Sequence, residues 1–474
     1  MSAPVPHDLA AATRRWFLGR SALGLGGIAL ASELGLPGAE PVARSRRARA
    51  KNVIYLHMAG SPPTMDMFDP KPLLAKYDGQ PCPDSLLKRE RFAFIKGTPR
   101  MLATRWPVSQ VGDGGMQVID LLPHLQQVAG DLCMVRSMVT DQFNHAPAEL
   151  LLHTGSPRFG RPSMGSWLSW GIGSESRDLP AYVVLVSGGS QPSAGKSLWG
   201  SGFLPAAHQG VQFRSAGEPV LYLQDPAGID RERRRRSVEA MNDLNRLRLE
   251  SGQGTSDTEA RIAQYELAFR MQVSVPEAVD LAGESEETRA LYGAEPGKAS
   301  FANNCLLARR LVERGVRFVQ LFDSGWDIHG TSPGDDLMTQ FPRKCGEIDR
   351  AFAGLLTDLR RRGMLEDTLV VWGGEFGRTP MNEARGGSTF LGRDHHPHCF
   401  TMLLAGAGVR TGEVVGATDD LGYHVTETSI HVHDLQATIL HLLGIDHRAF
   451  TYRFMGRDFR LTDVSGAVRP ELLG

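Results

Sequence analysis

Cysteine is scarce in this chain. Its 474 residues hold five, Cys82, Cys133, Cys305, Cys345 and Cys399, scattered, odd in number and without a Cys-x-x-Cys pair. That distribution speaks against a disulfide scaffold, which a core of this size does not need. One bridge stays open if the protein is exported, and buried free thiols are the expectation. Aromatics are 7% of the residues, so no stacking platform for single-stranded nucleic acid stands out. An excess of either charge is also missing. With 52 basic and 53 acidic residues the formal net charge is -1, which removes any broad electrostatic reason to bind nucleic acid or an acidic membrane. No internal repeat is evident. What remains, 41% hydrophobic and 22% charged, is the composition of a soluble globular protein with one large or two medium domains.

The N-terminus reads as a delivery address. Thr13, Arg14, Arg15, Trp16, Phe17 and Leu18 precede a small, Gly-rich apolar run from Ser21 to Leu36. The run is too short for a comfortable membrane span, and the order of basic start, apolar stretch and polar continuation is that of a signal peptide. The Arg pair followed by Phe-Leu looks like the twin-arginine export signal, with Gly19-Arg20 after it and Ala29-Leu30-Ala31 as a cleavage candidate. Membrane contact is then expected only through this segment, and the mature protein in the periplasm or cell envelope. Residues 1–45 are read as signal and linker, and 46–474 as the folded domain.

Short apolar runs at Val53–Leu56, Leu132–Val135, Tyr182–Val186, Val316–Phe322, Thr368–Trp372 and Phe400–Leu404 predict buried strands. Helical patterns at Ala148–Leu152, Asn303–Glu313, Ile348–Arg361 and Leu435–Leu443 lie between or after them. Alternating strands and helices predict an α/β fold with a mostly parallel sheet, whose ligands sit beyond the carboxyl ends of the strands. Residues 187–230 are rich in Gly, Ser and Pro and predict a long loop or cap. Residues 231–275 carry charges at helical spacing, including the run Arg233–Arg236, which reads as a solvated helix face.

Ionisable residues gather after the strands. Asp66 and Asp69 follow the first, Asp327 and His329 follow the strand ending at Phe322, and Glu375 and Arg378 follow Trp372. Arg393, Asp394, His395, His396 and His398 precede the last strand. Three clusters meet on one edge of a parallel sheet, and the fourth joins if its loop returns there. Asp, Glu and His together are ligands for a divalent ion such as zinc, manganese or calcium. Arg378 and Arg393 are suited to two-pronged binding of phosphate or sulfate. Each cluster also has a structural reading: Asp66 and Asp69 as turn caps, Asp327 and His329 as a helix N-terminal group and a surface histidine, Glu375 as partner of Arg378.

Other residues carry a resemblance. The segment His145-Ala146-Pro147-Ala148-Glu149, running through Leu150–Leu152 to His153-Thr154-Gly155, resembles the nucleophile segment of sulfatases. Gly373-Gly374-Glu375-Phe376-Gly377 resembles that superfamily's later metal strand, and His433–Leu440 its closing helix. The span from about Lys51 to Asp463 is similar to the exported bacterial domain-of-unknown-function family fifteen-oh-one. Its motifs appear as Asn144–Ala148, Gly160–Gly165, Gly374–Pro380 and Gly392–Pro397. The resemblance implies an alkaline-phosphatase-like three-layer sandwich with a mostly parallel central sheet, and an insertion near 187–275. It also implies a metal-dependent hydrolase of phosphate or sulfate esters, acting on an anionic small molecule or glycan.

Departures qualify the chemistry. His145 stands where sulfatases have Cys or Ser, which excludes formylglycine chemistry, and Glu149 replaces an Arg. His145 is expected to be nucleophile, base or ligand, or else a cap for the following helix. Asp66, Asp327, His329, Glu375, Asp394, His395, His396 and His398 are the expected metal ligands, with Arg378 and Arg393 on the anion. The alternative is a non-catalytic envelope protein that binds an anionic glycan or a protein partner on the same scaffold. Whether the acidic and histidine clusters meet around one point discriminates between them.

Overall fold

Each of the six apolar runs forms a strand, and near-complete burial is why none alternates. The computed structural model describes residues 47–88, 90–220, 229–251 and 256–474. The twin-arginine segment and its cleavage candidate lie outside them. Among the described residues the main sheet has nine strands: β1 Asn52–Met58, β2 Leu132–Val139, β3 Tyr182–Ser187, β4 Val211–Gln212, β5 Phe318–Asp323, β6 Thr368–Gly373, β7 Phe400–Ala405, β8 Glu413–Val415 and β9 Ile430–His431. Every residue of β1, β5, β6 and β7 is buried. A strand buried throughout must be covered on both faces, so the sheet is the middle of three layers.

The strand order is β8-β2-β7-β6-β1-β5-β3-β4, with β9 also on β2. β1 is parallel to β5 and β6, and β3 is parallel to β5 and β4. β7 alone among these runs against its neighbours, antiparallel to β6 and β2. β2 therefore points the same way as β1, β5 and β6. The fold is α/β with a mostly parallel central sheet, as the sequence pattern predicts.

The helices follow the expected patterns but start earlier in the chain. Those of ten or more residues are α1 His145–Thr154, α2 Arg231–Glu250, α3 Ser256–Val279, α4 Phe301–Glu313, α5 Gln340–Arg361 and α6 Val432–Leu442. Asn144 caps α1, its side chain accepting from the His145 amide. α2 and α3 pack on each other in the expected insertion. On α2, Arg235 pairs with Glu232 and Glu239 at 2.6 and 2.8 Å on an exposed face, consistent with a solvated basic run. All five cysteines are buried and free.

Candidate metal centre

Strand direction decides what meets. β1, β5 and β6 end at Met58, Asp323 and Gly373, so Gly60-Ser61, Asp327-Ile328-His329 and Glu375–Arg378 emerge on one edge. β2 ends at Val139 on the same edge and leads to His145 at the start of α1. Because β7 is antiparallel, the loop before it also arrives there. That loop is fixed by a short ladder in which Arg378 opposes His395 and Gly377 opposes His396. Successive residues of a strand point to opposite faces. His395 accordingly faces Asp327, with Nε2 3.3 Å from Oδ1. His396 turns away, its Nε2 2.6 Å from the Tyr423 carbonyl.

The loops approach closely enough to need glycine. Gly60 has φ +97°, and a Cβ there would lie 2.6 Å from the Asp327 amide nitrogen. Ser61, buried, holds φ 56° without being glycine. Its hydroxyl accepts from the amides of Glu375 and Phe376, each at 3.2 Å, and its carbonyl accepts from Arg378 Nε at 3.0 Å. These bonds hold an unfavourable backbone conformation at the junction of three loops.

Four side chains converge. The Nε2 atoms of His145, His329 and His395 lie 3.1, 2.7 and 3.3 Å from Asp327 Oδ1. The far nitrogen of each ring is held by a different acceptor. Glu375 Oε1 takes His145 Nδ1 at 2.5 Å, the Phe143 carbonyl takes His395 Nδ1 at 2.8 Å, and Glu383 takes His329 Nδ1. An imidazole whose Nδ1–H is given to a carboxylate or carbonyl presents a lone pair at Nε2, the arrangement of metal-ligating histidine. His145 Nε2 is buried and, although 3.1 Å from Asp327 Oδ1, lacks hydrogen-bond geometry to it. The centre opens to solvent at Asp327, whose side chain is 40% exposed, against 3–12% for the three imidazoles. Arg378 also reaches Asp327 Oδ1, at 2.6 Å, but a carboxylate has about four lone-pair sites and one such contact does not exhaust them.

The electrostatics follow. Burial opposes charge on Asp327, yet Arg378 and the three imidazoles outweigh it and hold its carboxyl far below the usual range. Burial also opposes charge on His145, but Asp327 and Glu375 push it up to about 9. His329 is raised for the same reasons, by Asp327 and Glu383 against burial. Burial and Arg378 press His395 down to about 4, although Asp327 favours its charge. Among the side chains themselves, then, one carboxylate gathers imidazoles in different protonation states.

A second group lies behind the first. His145, Glu149 and His153 recur at i, i+4 and i+8 and so share one face of α1. That face meets β1, where the His153 ring packs edge-on against Tyr55 and His57. His57, Glu149 and Glu375 are all fully buried, and each offers a ligand atom within 4.8 Å of the others. Burial raises the Glu149 carboxyl, with neighbouring Glu375 adding to it. Burial works the same way on Glu375, but the His145 and His57 imidazoles overcome it and lower its carboxyl.

The structure thus brings together Asp327, His329, His395 and His145, with Glu375 against His145. It does not bring Asp66, Asp394, His396 or His398 into either group. Asp66 makes a two-pronged pair with Arg393, at 2.7 and 2.8 Å, with both side chains buried. Asp394 accepts from the amides of Phe94, Ile95 and His395, holding loops together. His398 lies with its ring tilted beside those of Tyr423 and His424. Arg393 is committed to Asp66 and the Thr379 carbonyl. Arg378 is committed to Asp327 and to the Gly60, Ser61 and Arg393 carbonyls, so neither guanidinium faces open space for an anion. Glu375 pairs with imidazoles rather than with Arg378. His57, Glu149 and Glu383 are contributors that the sequence analysis does not single out as ligands or supports. The imidazole inside an otherwise apolar strand and the i, i+4, i+8 polar face were the available signals, whereas nothing local marks Glu383.

Glu383 gives a direct check on this arrangement. Glu383→Gln, which keeps the shape but weakens the hold on His329 Nδ1, is expected to lower metal affinity about 10- to 100-fold. Competition with a chromophoric chelator measures it.

The fold and site together define an α/β protein with candidate metal-ligand groups at the carboxyl edge of its sheet. The chain belongs to the family described as "Protein of unknown function (DUF1501)", which it matches over residues 50–473. No curated protein sequence matches it. It is similar in structure to the PsFucS1 sulfatase from Pseudoalteromonas sp., with 14% identity and a TM-score of 0.36 over 85% of this chain and 69% of that one. It is also similar to the phosphonate monoester hydrolase SpPMH from Silicibacter pomeroyi, with 13% identity and a TM-score of 0.33 over 83% and 73%. A mutant TAB5 alkaline phosphatase with Mg bound gives 11% identity and a TM-score of 0.34 over 84% and 99%.

Proposed function

We propose that this chain is an exported, metal-dependent hydrolase of phosphate or sulfate esters, acting on an anionic small molecule or glycan. The observation that carries the proposal is the convergence of three imidazole Nε2 atoms on Asp327, each ring backed by its own acceptor. His145, His329, His395 and Asp327 would hold one divalent ion. Three nitrogens and a carboxylate suit zinc or manganese better than calcium, which takes oxygen ligands. Such an ion supplies Lewis acidity and lowers the pKa of bound water. His145 serves as ligand rather than nucleophile, because both its ring nitrogens are aimed at carboxylates. Positive charge for the ester comes from Arg385, which is 45% exposed, pairs with Glu383 and lies 3.2 Å from His329 Nδ1. Meeting of the clusters supports this reading over a non-catalytic scaffold. Export and an envelope location rest on the N-terminal residues alone.

The test is hydrolysis of aryl phosphate and aryl sulfate panels before and after chelation. Chelation is expected to abolish activity and zinc or manganese to restore it, while Arg385→Ala raises KM. Failure of zinc- or manganese-loaded protein to cleave any member of either panel would overturn the proposal.

Metal uptake has a defined pH dependence. His145, pushed up to about 9, carries a proton on each nitrogen at pH 7. An ion must displace one of them, whereas ionised Asp327 and unprotonated His395 release none. Affinity is expected to fall at least about tenfold per pH unit below 9, with protons released on binding. Zinc titration calorimetry in two buffers of different ionisation enthalpy counts them.

A further inference from the structure

We propose that His57, Glu149 and Glu375 form a second divalent-cation site, buried behind the first and taking a transition metal such as zinc or manganese. The donors are one imidazole and two carboxylates, all fully buried. His57 Nε2 and Glu375 Oε2 lie 3.2 Å apart, yet both are buried with no hydrogen-bond partner. Two ligands of one tetrahedral ion, each about 2.0–2.2 Å from it, stand roughly 3.3–3.6 Å apart. The observed 3.2 Å is within a few tenths of an ångström of that spacing, so an ion would enter by parting the two atoms slightly. Among the described residues no lysine or arginine pairs with Glu149 or Glu375, and the imidazoles of His57 and His145 are the counter-charges at hand for Glu375, so a doubly charged ion would balance the two buried carboxylates more fully.

The surroundings are those of a built site. Glu149 is held from behind by the amides of Ser193 and Ala194, at 3.1 and 2.7 Å, which leaves further lone pairs on both oxygens. Glu375 Oε1 is fixed by the Gly60 amide at 3.2 Å and by His145, turning Oε2 toward His57. His57 Nδ1 meets His153 Nε2 at 3.2 Å, and His153 Nδ1 meets the Gln320 amide at 3.0 Å. An ion on His57 Nε2 sets one proton order along this chain: His57 Nδ1–H to His153, then His153 Nδ1–H to the Gln320 oxygen. That order requires the Gln320 amide to turn over, which exchanges its nitrogen and oxygen positions. Glu375 would then ligate the inner ion while supporting His145 in the outer centre.

The two sites share Glu375, and metal counting in variants of the residues they do not share separates them. The full chain is stripped, reloaded with zinc or manganese, desalted and analysed by plasma mass spectrometry. Wild type is expected to hold two equivalents, Glu149→Gln and His57→Gln one, and His329→Gln one. One equivalent in wild type that is lost in Glu149→Gln but kept in His329→Gln supports the inner site and removes the outer. Any equivalent count that Glu149→Gln and His57→Gln leave unchanged, zero included, overturns the proposal. Should those variants not fold, anomalous scattering from wild-type crystals decides, with a peak within bonding distance of His57 Nε2 in support and none against.

Discussion

Asp327→Ala is expected to remove the outer ion and, with it, at least about 100-fold of any ester hydrolysis. Loss of a supporting residue behind a ligand typically costs 10- to 100-fold, and a shared ligand costs more. Asp327 is the point on which all three imidazoles converge, so the variant loses the oxygen donor and the charge that orders the set. Without it, His145 and His329 lose a major source of their raised pKa, and Arg378 loses its only ion-pair partner among the described residues. The metal-free protein should also lose stability, because the Arg378 side chain is 1% exposed and is left without its carboxylate partner. The informative measurement is the thermal midpoint with and without zinc. An ion at a thousand times its Kd stabilises by about 4 kcal/mol. Wild type should show that shift and Asp327→Ala a much smaller one, while far-UV circular dichroism stays the same. An equal shift in both proteins would place the ion elsewhere.

Asp66→Ala is expected to act differently, destabilising strongly while leaving the metal donors in place. Asp66 and Arg393 form a two-pronged pair with side chains 0 and 1% exposed. Deleting one partner of such a pair leaves a charge in the interior and costs about 3–5 kcal/mol. Arg393 also donates to the Thr379 carbonyl, and its own carbonyl accepts from Arg378, so the pair braces the loop that delivers His395. Folded Asp66→Ala should still bind zinc, with affinity reduced through misplacement rather than through loss of a ligand. The double variant Asp66→Leu with Arg393→Met should recover part of the stability, since removing both charges leaves none unpaired. Denaturant unfolding of the cycle measures the coupling. Complete loss of metal from a folded Asp66→Ala protein would return Asp66 to the ligand set.

Several of these outcomes were open to a reader of the sequence, and others were not. The six apolar runs are legible as strands because burial on both faces removes alternation. The residues after them are legible as a candidate site because parallel strands end on one edge. Asp327 and His329 were within reach for that reason. The doublet His395-His396 shows the limit of local reading. Either residue suits a metal, and only the ladder with Gly377-Arg378 decides which one faces inward. His145, Glu149 and His153 show the reverse case, where helical spacing already places three ionisable groups on one face.

By itself, the order of residues determined the alternation of strand and helix, the edge at which chemistry gathers and the donor types available. These depend on periodicity and on short-range backbone sterics, which neighbours along the chain encode. Only the tertiary structure decided which donors share a point. Arg393 meets Asp66 across 327 positions and His145 meets Glu375 across 230. Such pairs form because a buried charge must find a partner wherever the packed layers bring one, and sequence distance does not enter that energy.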